Sequence, residues 1–289
     1  MDKEQQGFPY GGQAVIEGVM IRGRSAMAVA CRRKDGTIVT ETRPLAAMLT
    51  KHRWLNLPFI RGTFALWDSL AIGFGSLLWS ANLALEDEGE KTISRRAFAW
   101  TVIGAMLLGV AIFVVLPSLL TPKIGHSGLV SNLAEGGLRK VIFVLYVVFI
   151  MRLPDVQRLF AYHGAEHKVV NAYEHGDANL QVQAYSRIHR RCGTTFLAVV
   201  VIVGIVVYSS IGWPAWYWRV VSRPALLPVI AGISYEIIKL AARYDNVFLR
   251  ALIWPGLLIQ RLTTREPSPD MIEVAHAALK AVRAAEEGA

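Results

Sequence analysis

Gly193-Thr194-Thr195-Phe196-Leu197-Ala198-Val199-Val200-Val201-Ile202-Val203-Gly204-Ile205-Val206-Val207-Tyr208 carries no charge, and the chain stays uncharged onward through Trp218. Wound as an α-helix, such a run crosses the roughly 30 Å hydrocarbon core of a bilayer. Ala97 to Leu120 is a second charge-free stretch of that kind. A soluble core helix rarely needs one. The composition agrees: 53% of the 289 residues are hydrophobic and 18% are charged, against about 25% charged in ordinary globular chains. The chain is therefore expected to be a mainly α-helical integral membrane protein.

Two further spans are expected around these. Leu138 to Met151 is bracketed by Arg139, Lys140 and Arg152. Its uncharged run reaches only roughly 16 Å, so it spans if those basic side chains snorkel outward. Pro224 to Ala242 is the fourth, interrupted by Glu236 and Lys239. Thr121 to Gly137, with Pro122, Gly125 and Gly128, reads as a loop. Thr63 to Leu85 contains Asp68 and several small residues, which suits a re-entrant or interfacial helix as well as a span. Val247 to Leu262, broken by Pro255-Gly256, reads as interfacial or re-entrant. Trp213, Trp216, Tyr217 and Trp218 form an aromatic belt for the far interface.

Residues 1–60 read differently. Ala26 to Arg33 and Thr37 to Arg43 flank Lys34-Asp35-Gly36, a strong hairpin signal. The glycines of Gly11-Gly12-Gln13-Ala14-Val15-Ile16-Glu17-Gly18 have the wrong spacing for a phosphate loop and predict a short strand between turns. Three parts follow: a β-hairpin unit over 1–60, a transmembrane part over 61–266 that includes a polar segment at 152–192, and an amphipathic, alanine-rich helix over 267–289.

The net charge is +9. No basic run alternates with aromatics, so nucleic-acid binding is not expected. The Lys and Arg residues instead concentrate in 1–60 and 152–192 and are sparse in 121–137 and 212–223. By the positive-inside rule, both termini and the 152–192 segment face the cytoplasm of a cell whose inner membrane holds the chain. Met1-Asp2-Lys3-Glu4-Gln5-Gln6 has no apolar core behind it, so no cleavable signal is expected. The two cysteines, Cys31 and Cys192, make no disulfide framework.

The chemistry concentrates in 152–192. Tyr162-His163-Gly164-Ala165-Glu166-His167-Lys168 places two histidines four apart, on one helix face. His-x-x-Glu-His is the spacing of the inverted zincins. His163 and His167 would hold zinc or another divalent ion, and Glu166 would serve as the base. The third ligand is open among His189, Cys192 and Glu236: imidazole, thiolate and carboxylate are all zinc ligands. Spacing alone lets His189 and Cys192 share a helix face. Glu236 is an ionisable group in an apolar segment, which marks a functional candidate. Lys239 one turn on is the structural alternative, as an ion-pair partner. A Cys192 nucleophile with His189 lacks any surrounding acyl-transfer motif.

Tyr10-Gly11-Gly12-Gln13-Ala14-Val15-Ile16-Glu17-Gly18-Val19-Met20, the histidine heptapeptide, Arg191-Cys192-Gly193-Thr194-Thr195-Phe196, Gly232-Ile233-Ser234-Tyr235-Glu236 and Gln260-Arg261-Leu262-Thr263-Thr264-Arg265-Glu266-Pro267 together resemble the YqhQ-like family of bacterial membrane proteins. The resemblance runs over nearly the whole chain. It implies a multi-span inner-membrane protein and a metal-dependent enzyme. The expectation is a membrane-embedded, metal-dependent hydrolase acting on a peptide, ester or phosphoester. The alternative is a non-catalytic, oligomeric membrane scaffold or a membrane-protein biogenesis factor, whose β unit and basic loops dock a cytoplasmic, membrane-protein or anionic-lipid partner.

Overall fold

The computed structural model describes residues 10–45, 57–124, 128–177, 181–244 and 246–288 (for Ala242, the backbone only). Met1 to Gln6, read above as a cytoplasmic start, lies outside these residues. The chain is mostly helical, with a small N-terminal antiparallel sheet.

Four strands form a meander in the order β1-β2-β3-β4: β1 Gly11–Val15, β2 Gly18–Arg22, β3 Ala26–Arg32 and β4 Ile38–Pro44. The Asp-Gly hairpin is present between β3 and β4, with Gly36 at φ 87°, where only a glycine turns without strain. The glycine-rich stretch ahead of it is itself a hairpin, β1 to β2, rather than one short strand. Its turn holds Glu17 at φ 52°.

Side chains alternate across a strand, so β2 and β3 present two faces. Both are covered. Val19, Ile21, Ala28 and Ala30 pack with helix residues Tyr162, Val169, Val274 and Leu279. Met20, Met27, Val29 and Cys31 pack against Ile72, Trp79 and Leu83. β2 and β3 therefore read as nearly continuous apolar sequence, as doubly buried strands do.

Nine helices follow among the described residues. α1 spans Ile60–Glu86. α2 runs Arg95–Leu120, begun by the Ser94 side chain accepting the Ala97 N–H. It contains one π turn at Ala111–Val115, where the ring of Pro117 crowds the preceding turn and removes a donor. α3 is Gly128–Ile150, α4 Pro154–Glu174, α5 Gly193–Ile211, α6 Trp216–Ala225, α7 Leu227–Arg243, α8 Val247–Thr263 and α9 Pro269–Glu287. A second core joins α5, α7 and α8 through Val199, Val203, Ile230 and Ile253.

Three helices are long and apolar enough to cross a membrane: α1, α2 and α5; the bent pair α6–α7 makes a fourth if taken as one span. One reading left open by the sequence is narrowed here, and one expected span is not among the candidates. Thr63 to Leu85 belongs to an unbroken 27-residue helix that qualifies. Leu138 to Met151 belongs to a helix that starts at Gly128, inside the expected loop, and does not qualify. The reason is Glu135, Arg139 and Lys140 within α3. Glu135 is buried against Arg139 and Arg223, so the helix runs on through residues whose polarity suggested a loop.

α8 passes through Pro255-Gly256 without the break that the sequence suggested there. The C-terminal helix is amphipathic as expected. Its apolar face, Met271, Val274, Ala275, Ala278, Leu279 and Val282, is buried on the sheet and α4.

Candidate metal centre

Pro154 at the first position of α4 fixes its start, since an N–H there would lack a partner anyway. Three turns later His163 and His167 emerge on one face, with ring centroids 4.4 Å apart. His163 Nδ1 donates to the Thr263 carbonyl at 2.9 Å. His167 Nδ1 donates to the Arg187 carbonyl at 2.7 Å. Those acceptors hold both rings in the tautomer that leaves Nε2 with its lone pair free, the arrangement that metal-binding histidines use.

Cys192 completes the group. It caps the N-terminus of α5, and its Sγ lies 3.3 Å from His163 Nε2 and 3.3 Å from Thr194 Oγ1. The ligand atoms of His163, His167 and Cys192 all lie within 4.8 Å of one another. Zinc held at Zn–N of about 2.0–2.1 Å and Zn–S of about 2.3 Å needs ligand atoms roughly 3.4–3.6 Å apart. The widest pair has little more than an ångström to close. An ion held by these three alone would keep a fourth tetrahedral position, as in catalytic zinc sites.

Glu166 lies beside the group, its Oε2 3.5 Å from His167 Nε2. It is buried, and the backbone N–H of Gly12 in β1 donates to it. Burial pushes its carboxyl above the usual range, against the opposing pull of His163, His189 and that N–H. Burial also holds His167 well below the ordinary imidazole value. It pushes the Cys192 thiol up to about 11.

Residues 186–192 bring Cys192 to the helix. Asn171 Nδ2 donates to the carbonyls of Ser186 and Ile188 at 2.7 and 3.2 Å. Buried Gln260 of α8 accepts the His189 N–H at 2.8 Å, donates to the His189 carbonyl at 2.8 Å and reaches Thr195 Oγ1 at 2.9 Å. One amide thus stitches the loop, α5 and α8 together. The strap after α8 lies directly on α4: a Cβ on Gly164 would sit 2.0 Å from the Arg265 carbonyl oxygen. That close approach is what lets the Thr263 carbonyl reach His163.

Two of the sequence-derived ligands stand elsewhere. His189 and Cys192 do not share a helix face, because α5 begins only at Gly193. His189 Nε2 faces Glu174 at 3.3 Å, and its ring is 5.6 Å from that of His167, one layer out. Glu236 is held by Arg61, 2.7 and 2.6 Å from its two oxygens, and is not among the clustered groups. Glu236 is thus taken up by this bidentate pair, which an apolar setting favours for a carboxylate, and Lys239 adds a weaker attraction of the kind the sequence offered. Cys31 is a buried free thiol on the sheet face toward α1. Gln260 and the Thr263 and Arg187 carbonyls escape a sequence reading, since a carbonyl has no side-chain signature and Gln260 lies 71 positions from its partner.

A family model described as "Protein of unknown function (DUF1385)" matches residues 57–285. The chain is 35% identical over 296 residues to "Uncharacterized protein YqhQ" of Bacillus subtilis (strain 168), a match covering 95% of this chain and 92% of that one. No solved structure matches.

Proposed function

The chain belongs to the DUF1385 or YqhQ-like family, whose description assigns no reaction, and from the site's own geometry we propose a membrane-embedded, metal-dependent hydrolase with His163, His167 and Cys192 as ligands. The observation that carries this is the convergence of three ligand atoms within 4.8 Å, with both histidines already oriented by backbone carbonyls. Metal sites are built this way, ligand first and orienting acceptor behind it.

A bound divalent ion such as zinc would supply Lewis-acid polarisation of a carbonyl or phosphoryl oxygen. The chain supplies the rest. Glu166, with its carboxyl pushed toward neutrality, accepts or returns a proton at the reacting group. Thr194 Oγ1 orients the Cys192 sulfur. Burial pushes the Cys192 thiol up to about 11, which makes it a poor unassisted nucleophile; as a ligand it would bind as the thiolate, its proton released when a divalent ion binds. The substrate class is a peptide, ester or phosphoester presented at the membrane.

Membrane insertion is part of the same proposal. Trp100, Leu107 and Leu108 on α2, Leu145 and Phe149 on α3, and Phe248 and Trp254 on α8 are all exposed. Apolar surface that extensive needs a nonaqueous neighbour. The lysine and arginine asymmetry then orients the site toward the cytoplasm, with both described ends on that side.

Metal analysis of the full-length protein purified in detergent tests the proposal. About one divalent ion per chain, lost in His163→Ala plus His167→Ala, is the expected result. Wild-type protein that is folded and takes up no divalent ion overturns it. The cluster would then be a hydrogen-bonded network in a non-catalytic scaffold, the second reading of the chain.

A further inference from the structure

A second polar cluster lies away from the histidines, where α3, α5 and α6 meet the end of α2. Arg223 is fully buried. Its Nη2 donates to Asn132 Oδ1 at 2.8 Å and to Glu135 Oε2 at 3.2 Å, and its guanidinium carbon lies 4.1 Å from the centroid of the Tyr208 ring. Arg139 Nη2 donates to Glu135 Oε1 at 2.8 Å. Arg219, 7% exposed, reaches the Thr121 carbonyl at 3.3 Å and lies 4.1 Å from the centroid of the Trp213 ring.

Three guanidiniums thus face one carboxylate, Glu135. Among the described residues, Arg223 Nε and Nη1, Arg219 Nε and Arg139 Nε have no hydrogen-bond acceptor. The hydroxyl of Ser222, between the two arginines of α6, has no partner either. Arginine cannot shed its charge by losing a proton. An uncompensated buried charge costs several kcal/mol, more so in apolar surroundings. The cluster is short of negative charge and rich in free donors, and something outside the chain has to supply the acceptor.

We propose that Arg139, Arg219 and Arg223 bind an oxyanion of the phosphate class. Guanidinium forks match phosphate oxygens and bind them with charge-assisted hydrogen bonds. A phospholipid headgroup is the favoured source. Trp216, Tyr217, Trp218 and Val221 of α6 are all exposed, an aromatic belt of the kind that marks headgroup depth. Basic pockets between membrane helices are known to bind anionic headgroups on the cytoplasmic side, and the same chemistry applies at this interface. The cluster shares no residue with the histidine site, so this goes beyond the hydrolase proposal and stands or falls apart from it.

The test uses the full-length protein in detergent, with phosphatidylglycerol, phosphatidylcholine and inorganic phosphate as probes. Native mass spectrometry reads retained lipid, and thermal unfolding reads phosphate. Wild type is expected to retain phosphatidylglycerol about tenfold better than phosphatidylcholine, and Arg219→Gln to lose that preference. Stabilisation by phosphate in wild type alone, without a lipid preference, keeps the oxyanion site and identifies its source as soluble. Wild type and Arg219→Gln behaving alike toward every probe overturns the proposal. Should Arg219→Gln not fold, Arg219→Lys carries the test, since it keeps the charge and loses the fork; undiminished retention there overturns the proposal equally. Metal content at the histidines stays at the wild-type level throughout.

Discussion

His163 Nε2 and Cys192 Sγ lie 3.3 Å apart although 29 positions separate them in the chain. The contact exists because residues 186–192 lie against α4 and Gln260 pins them there. Cys192→Ala is therefore expected to lower divalent-metal affinity by more than the roughly 10–100-fold typical of outer-shell changes. Cys192→Ser should retain part of it. Isothermal titration with zinc checks both, and wild-type affinity in Cys192→Ala would remove the cysteine from the ligand set.

Glu166 Oε2 lies 3.5 Å from His167 Nε2, and the proposal makes it a base rather than a ligand. Glu166→Gln should keep the wild-type metal stoichiometry while His163→Ala loses it, with both measured by elemental analysis of folded protein. Any hydrolytic activity found should fall about 10²–10⁴-fold in Glu166→Gln, the range for removing a general acid–base group. Loss of metal in Glu166→Gln would make it a ligand instead.

Gly164 has no room for a methyl group, because the Arg265 carbonyl oxygen occupies the place of its Cβ. Gly164→Ala must push the strap off α4 and should cost about 1–3 kcal/mol, as overpacking does. It should also weaken metal binding, since Thr263, where α8 runs into that strap, orients His163. Gly104 in α2 meets nothing within 4 Å of a built Cβ. Gly104→Ala should gain about 0.4–1 kcal/mol. Paired thermal melts in one detergent test the contrast.

Glu286 anchors the C-terminal helix to the sheet. It accepts from Tyr10 Oη at 2.7 Å, from the Ser25 N–H at 2.9 Å and from the Arg24 N–H. Burial pushes its carboxyl up, but these hydrogen bonds outweigh that and hold it below the ordinary range. A depressed carboxylate contributes stability that is complete above the unfolded value of about 4.3 and is lost as pH falls through the lower folded value. Glu286→Gln should lose about 1–2 kcal/mol at neutral pH and flatten the acid side of the stability profile. Denaturation profiles that superimpose would show that the anchor contributes nothing.

Glu236 binds Arg61 through both oxygens. Glu236→Ala should leave metal content unchanged and destabilise the α1–α7 contact by about 1–3 kcal/mol, since it strands a partly buried guanidinium. Metal loss in a folded Glu236→Ala protein would restore it as a ligand.

Local physics made much of this chain legible from its residues. The charge-free runs of 97–120 and 193–218 announced long apolar helices, because absence of charge over that length has few other uses. Lys34-Asp35-Gly36 announced the β3–β4 hairpin, and the four-residue spacing put His163 and His167 on one helix face. The sequence alone narrowed the third ligand to His189, Cys192 and Glu236 but could not choose. Only the tertiary structure seated Cys192 at His163, turned His189 to Glu174 and gave Glu236 to Arg61, which lies 175 positions away. It also extended α3 through Glu135 and Arg139, which pair with each other one turn apart, and Glu135 gains Arg223 as a second partner once α6 packs beside it. Periodicity and spacing report what a residue's near neighbours require. Which distant donor meets which acceptor follows from how the helices pack, and no local pattern carries that.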